Sequence, residues 1–98
     1  YPNNQDAFFQ KGVQLAELGK HEKALDVFDE ILKKFKGNVN VIYAKSRSKA
    51  ALEMYPEALE LLKQAISKNP KIIRIWAKEE PSFTKLHSND QFRSLVKL

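Results

Sequence analysis

Apolar residues recur every three or four positions along most of the chain. One such run extends from about Phe8 to Leu18, and the next extends from Leu25 to Phe35. This spacing places the apolar side chains on one face of an α-helix, so it predicts two helices. Gly19 lies between the two runs and is typical of a residue that ends a helix in the left-handed conformation.

A second pair of helices is predicted over 39–52 and 56–68. Pro56 suits the first turn of a helix, where its missing N–H group costs no hydrogen bond. Asn69 precedes Pro70 and is therefore disfavoured in the helical region, which predicts the end of the fourth helix.

The remaining segment predicts two shorter helices. The first covers about 71–80 and is cut short by Pro81. The second is preceded by a capping box, with Ser88 as the N-cap and Gln91 three residues later. Its apolar residues lie on one side and its polar residues on the other, namely Asp90, Arg93 and Lys97. Strand-like alternation is missing from the sequence, so the predicted fold is all-α.

The sequence repeats itself at an offset of 34 residues. Ala24-Leu25 then falls on Ala58-Leu59, and the bulky residues Phe8, Ile42 and Trp76 form one series. A period of 34 residues in a helix–turn–helix pattern is the signature of the tetratricopeptide repeat. The chain resembles this family through Phe8, Gly12, Leu15, Gly19, His21, Ala24 and Phe28, and then through Ile42, Ser46, Tyr55, Ala58, Leu62, Ala65 and Pro70.

The resemblance implies a helical-hairpin solenoid, coiled as a right-handed superhelix. We expect one domain over 1–98, with repeat one at about 5–37, repeat two at about 39–70, and a shortened, degenerate capping repeat at about 71–98. The second repeat departs from the family pattern at Lys49 and at Glu53, where a glycine is usual.

The resemblance also implies a concave groove, lined by the first helix of each repeat, that binds an extended peptide. The repeat phase predicts that six residues line this groove: Phe9, Val13, Tyr43, Arg47, Arg74 and Lys78. Aromatic residues and arginines are the usual energetic anchors of interfaces. The predicted function is therefore non-catalytic protein–protein interaction.

Some members of the family clamp the terminal carboxylates of chaperone tails with a set of five polar residues. The matching positions here are Phe9, Val13, Ala44, Arg74 and Lys78, of which only the last two are polar. Most of a bound carboxylate would stay unpaired, so the complete clamp is not expected. A partial site that binds an acidic or carboxylate end of a partner stays open.

The formal net charge of +5 favours acidic partners without selecting one. The densest basic run is 45–49, but on a helix Lys45 and Lys49 share a face while Arg47 points elsewhere. A nucleic-acid-binding module is therefore a weaker alternative. Self-association is another, because Pro2 shares the phase of the repeat boundaries and the first helix would be free to stack on a second copy.

Catalytic and cofactor motifs are missing from the sequence. His21 and His87 lack companion ligands at metal spacing, and no phosphate-binding loop or nucleophile motif occurs. We expect no enzyme activity, no metal and no cofactor. The chain contains no cysteine and no signal peptide or membrane-spanning run. This pattern predicts a cytoplasmic protein without a membrane span.

Overall fold

The computed structural model describes residues 4–98, which contain helices and no strand. In chain order the elements are α1 (Asn4–Glu17), α2 (His21–Lys34), α3 (Val39–Ala51), α4 (Tyr55–Lys68), α5 (Pro70–Glu79), a 3-10 segment (Pro81–Leu86) and α6 (Asp90–Val96). The predicted all-α fold of helical hairpins is confirmed. Pro2, on which the predicted first repeat boundary depends, lies outside the described residues.

Short turns join the two helices of each hairpin. Gly19 ends the first turn with φ of 80°, so the predicted left-handed residue is confirmed. The equivalent residue of the second turn is Glu53, which adopts φ of 62° although it carries a side chain. Pro56 lies in the first turn of α4, and Asn69 ends that helix with φ of −149°, both as predicted.

Helix α3 lies at the centre of the stack. It packs against α2 on one side and against α4 and the 3-10 segment on the other. Val41 and Ala44 therefore belong to an apolar cluster with Phe28, whereas Tyr43 belongs to a second cluster with Leu62. Helix α3 contributes residues to both clusters, so it joins the two parts of the core.

Small residues allow the helices of each hairpin to approach closely. Ala24 and Ala58 are completely buried, as expected for helix crossings. A Cβ atom on Gly12 would lie only 2.6 Å from Cε1 of Phe28, so α1 and α2 are in close contact there. In the second hairpin, Ser46 Oγ donates a hydrogen bond of 2.7 Å to the carbonyl oxygen of Ala58.

The third repeat is completed by a 3-10 segment and a short helix instead of a full second helix. Pro81 ends α5, as predicted, and the following segment buries Phe83 against α3. The ring centres of Phe83 and Phe92 lie 5.6 Å apart, which closes the core at this end. The exposed residues of α6 are polar and include Asp90 and Arg93, and the exposed Lys97 follows the helix as its C-cap.

The predicted N-cap of the last helix is wrong by one residue. Asn89, not Ser88, is the N-cap, and its Oδ1 accepts a hydrogen bond of 2.9 Å from Phe92 N. The backbone N–H of Asn89 donates to the Leu86 carbonyl, which holds Ser88 within the turn that follows the 3-10 segment. The predicted capping box is therefore replaced by a single asparagine cap.

Candidate functional site

A concave pocket of about 470 Å³ opens between the first helices of the three repeats. Its walls come from α1, α3 and the C-terminal end of α5. They consist of Phe9, Asn40, Tyr43, Arg47, Trp76, Glu79 and Glu80. We call this pocket the groove. Its position agrees with the concave surface that the family resemblance implies.

Tyr43 forms the floor of the groove. Only 5% of its surface is exposed, and its ring centre lies 5.6 Å from that of Trp76 and 6.1 Å from that of Phe83. Burial raises the pKa of the Tyr43 hydroxyl, and Glu80 raises it further, while Arg47 opposes both. The hydroxyl therefore stays protonated, and it has no hydrogen-bond partner within residues 6–98.

Arg47 is held above the Tyr43 ring by Glu80. Its Nη1 donates a hydrogen bond of 3.3 Å to Oε1 of Glu80, and its guanidinium carbon lies 5.5 Å from the Tyr43 ring centre. The second carboxylate oxygen of Glu80 accepts a hydrogen bond from Ser82 N at the start of the 3-10 segment. Glu80 thus fixes both the arginine and the segment that follows α5.

Two aromatic side chains form opposite walls of the groove. Phe9 is half-buried, and its ring centre lies 5.9 Å from that of Phe28. Trp76 is 45% exposed, although tryptophan usually loses most of its surface on folding. Only the Trp76 side of the groove therefore presents a large aromatic face to solvent.

The structure brings together three of the six residues that the sequence placed in the groove: Phe9, Tyr43 and Arg47. Val13 lies beside them in an adjoining depression of about 380 Å³, which is also lined by Arg47, Glu80, His21 and Ser48. The Arg47–Glu80 ion pair separates this depression from the groove.

The structure does not bring Arg74 and Lys78 to the groove. Arg74 Nε donates a hydrogen bond of 2.9 Å to the carbonyl oxygen of Leu95 at the end of α6, and Lys78 is exposed outside the groove walls. Helix α5 buries Ile73 and Ala77, because it packs against α4 and α6. The repeat phase therefore does not predict which residues of α5 face the groove.

Sequence reasoning missed the groove residues that α5 supplies. It assigned Trp76 to a series of bulky residues with Phe8 and Ile42, and it placed neither Glu79 nor Glu80 in the groove. For Glu80 a signal was present, because a carboxylate just before Pro81 is suited to cap the following turn. For Trp76 and Glu79 the sequence carries no comparable signal.

The basic run 45–49 is partly neutralised by ion pairs. Lys45 Nζ lies 2.7 Å from an oxygen of Asp29 on α2, and Arg47 pairs with Glu80. The first of these pairs joins α3 to α2, so Lys45 contributes to the contact between the two repeats.

A second depression lies on the first hairpin, between α1 and the C-terminal part of α2. It has a volume of about 490 Å³ and is lined by Ala7, Phe8, Lys11, Glu30, Ile31, Lys34 and Phe35. Phe8 and Phe35 are both exposed there. We call this surface the outer patch.

The stacked helical hairpins and the groove define a helical repeat protein with a concave surface. The sequence model of the tetratricopeptide repeat matches residues 15–79, which is more than half of the chain. The chain therefore belongs to the tetratricopeptide repeat family, whose repeats generally mediate protein–protein interaction and are generally non-catalytic. Comparisons with curated proteins and with solved structures gave no match.

Within residues 4–98, every helix is too short or too polar to cross a membrane.

Proposed function

We propose that the chain binds an extended segment of a partner protein in the groove between Phe9 and Trp76. The observation that carries this proposal is the exposed indole of Trp76 in a concave pocket of about 470 Å³. Tryptophan is among the residues that most often dominate binding energy at interfaces. Covering this ring with a partner side chain would remove apolar surface from water, which favours binding.

Polar groups of the groove support a peptide as the ligand. The Tyr43 hydroxyl and Arg47 Nε are buried and unpaired within the described part of the chain. Leaving such a group unpaired costs about 1–3 kcal/mol, so a small shift that exposes either group to a peptide carbonyl would recover stability on binding. Asn40, at the rim, carries an exposed amide that can pair with a peptide backbone.

Peptide selection followed by titration tests this proposal. Trp76 is the only tryptophan in the sequence, so its fluorescence reports on the groove alone. Peptides selected against the protein from a random library are expected to change this emission as they bind. Trp76→Ala should weaken their binding by about 2 kcal/mol, or roughly 30-fold, as measured by calorimetry.

The matched control is Phe35→Ala, which removes an exposed aromatic ring from the outer patch. Circular dichroism should show that both variants keep the helical fold, because about half of each side chain is exposed. Peptides that bind Trp76→Ala as tightly as the unaltered protein would show that binding does not use the groove.

Self-association is a second candidate function, and the outer patch is the observation that favours it. Phe8 and Phe35 are both exposed on this surface, next to Lys11, Glu30 and Lys34, whose mixed charges suit contact with a second copy. Sedimentation of the protein and of a Phe8→Ser, Phe35→Ser variant tests it. A concentration-dependent dimer that the substitutions abolish would support this function, whereas a monomer at every concentration would reject it.

A further inference from the structure

The groove has a local charge opposite to that of the whole chain. The formal net charge of the protein is +5, but the groove walls carry two carboxylates, Glu79 and Glu80, and one cation, Arg47. Because Arg47 is already paired with Glu80 at 3.3 Å, the carboxylate of Glu79 is the charge left over. It is exposed and has no ion-pair partner among the side chains of residues 6–98.

Aromatic rings line the same groove as this carboxylate. Trp76 comes from the same helix as Glu79, and Phe9 faces both from α1. The face of a tryptophan attracts a cation more strongly than that of any other side chain, and the attraction increases when water is excluded. A long basic side chain can also lay its methylene groups along an aromatic surface while its charged end stays at the rim.

We propose that the partner segment bound in the groove presents a lysine or arginine side chain, which packs against Trp76 and pairs with Glu79. This inference rests on the proposed function, since it names the chemistry of the peptide bound at the same site. The net charge of +5 favours an acidic partner, whereas the side chain proposed here is basic. The sequence placed two cations of α5 in the groove, Arg74 and Lys78. Both lie outside its walls in the structure.

The Arg47–Glu80 pair makes this arrangement electrostatically consistent. An unpaired arginine on the groove floor would repel a second cation, but Glu80 holds the guanidinium against the Tyr43 ring and offsets its charge. The basic side chain of the ligand therefore meets one carboxylate and the indole of Trp76. We expect the interaction to weaken as salt concentration rises, because Glu79 is exposed.

A positional peptide library tests the inference directly. The probe is a set of fluorescently labelled nonapeptide pools, each with one fixed central residue and degenerate flanking positions, and binding is followed by anisotropy. We expect pools with central lysine or arginine to bind at least tenfold more tightly than pools with central norleucine or glutamate. Norleucine matches the apolar length of lysine and lacks its charge.

Two matched variants separate the charge of Glu79 from a general change in surface charge. Glu79→Gln keeps the shape of the side chain and should reduce the preference for basic pools to threefold or less. Glu60→Gln removes an exposed glutamate of α4 outside the groove and should leave that preference unchanged. Glu79→Lys should shift the preference toward the pools with central glutamate.

The outcomes for this inference and for the proposed function differ. Pools that bind equally well whatever their central residue, but lose affinity in Trp76→Ala, would overturn the basic-side-chain inference and leave groove binding intact. A preference for basic pools that survives in Glu79→Gln would also overturn the basic-side-chain inference and leave groove binding intact. Pools that do not bind at all, or that bind Trp76→Ala unchanged, would overturn both.

Discussion

The first and second hairpins carry the same sequence pattern, yet their leading helices have very different environments. In α3, Ile42 is 3% exposed, whereas the equivalent Phe8 of α1 is 36% exposed. Val41 is almost completely buried against α2, whereas the equivalent Ala7 is exposed. The difference shows that a helix in this fold is buried by its neighbours in the stack as well as by the partner helix of its own hairpin.

The residue types follow this difference. Ala44 and Ser48 occupy the positions of α3 that face α2. The Ser48 Oγ atom lies 3.2 Å from Nδ1 of His21 on α2. The equivalent positions of α1 are Gln10 and Gln14, which are exposed. The face of α1 that carries Gln10 and Gln14 is therefore suited to contact with water, whereas the equivalent face of α3 is suited to contact with another helix.

The largest expected effect comes from placing a charge at equivalent positions of the two helices. Val41→Asp would bury a carboxylate in the cluster around Phe28 and should destabilise the fold by more than about 4 kcal/mol. Ala7→Asp should change stability by less than about 0.5 kcal/mol, because that residue is exposed. Urea unfolding followed by circular dichroism measures both. Similar unfolding midpoints for the two variants would contradict the comparison.

A smaller effect is expected where α1 and α2 approach each other. Gly12→Ala places a Cβ atom 2.6 Å from Phe28 Cε1, and such overpacking costs about 1–3 kcal/mol. Part of this cost is offset, because alanine favours a helix over glycine by about 1 kcal/mol. We expect a net loss of about 1 kcal/mol in the free energy of unfolding.

The second hairpin supplies the control for this prediction. There, Ser46 and Leu62 stand at the positions of Gly12 and Phe28, so a side chain is accommodated opposite the smaller residue. In a Phe28→Leu background, Gly12→Ala should therefore be neutral or stabilising. If Gly12→Ala were equally destabilising in both backgrounds, the close contact with the ring would not be its cause.

The sequence predicted the parts of the fold in which each helix has regular neighbours. The positions of Gly19, Ala24, Ala58 and Pro56 follow from local chemistry and from the repeat, and the structure confirms each of them. Phe9, Tyr43 and Arg47 were likewise placed on the concave side, and the structure brings these three together. In α1 and α3, the repeat phase and the packing impose the same orientation.

The prediction failed where the repeat becomes irregular. After Pro81 the chain forms a 3-10 segment and a short helix, so α5 packs against α6 as well as α4. Arg74 accordingly contacts the end of α6, and Trp76 faces the groove instead of the core. The orientation of α5 depends on these long-range contacts, which a periodic pattern does not contain.

Effects of similar or smaller size are expected in the turns of the two hairpins, where the same backbone conformation is adopted by different residues. Gly19 has φ of 80° and open space around its Cβ position, so Gly19→Ala introduces backbone strain without a clash. We expect a loss of about 1 kcal/mol, or roughly 4–8 °C in the midpoint of thermal unfolding. Glu53→Gly should act in the opposite direction, because Glu53 adopts φ of 62° with a side chain present.

Loss of the Glu53 side chain also removes its exposed ion pair with Lys85, at 2.9 Å. The hydrogen bond from Lys85, together with its charge, lowers the pKa of the Glu53 carboxyl, so the pair stabilises the fold above the ordinary glutamate pKa and is lost as pH falls through the lowered value. Glu53→Gln removes this charge but keeps a side chain at positive φ. Thermal unfolding at neutral pH should therefore rank Glu53→Gly above the unaltered protein and Glu53→Gln slightly below it. If both substitutions lowered the midpoint alike, the ion pair would outweigh the backbone strain, and the two turns would differ in how they are stabilised and not only in their residues.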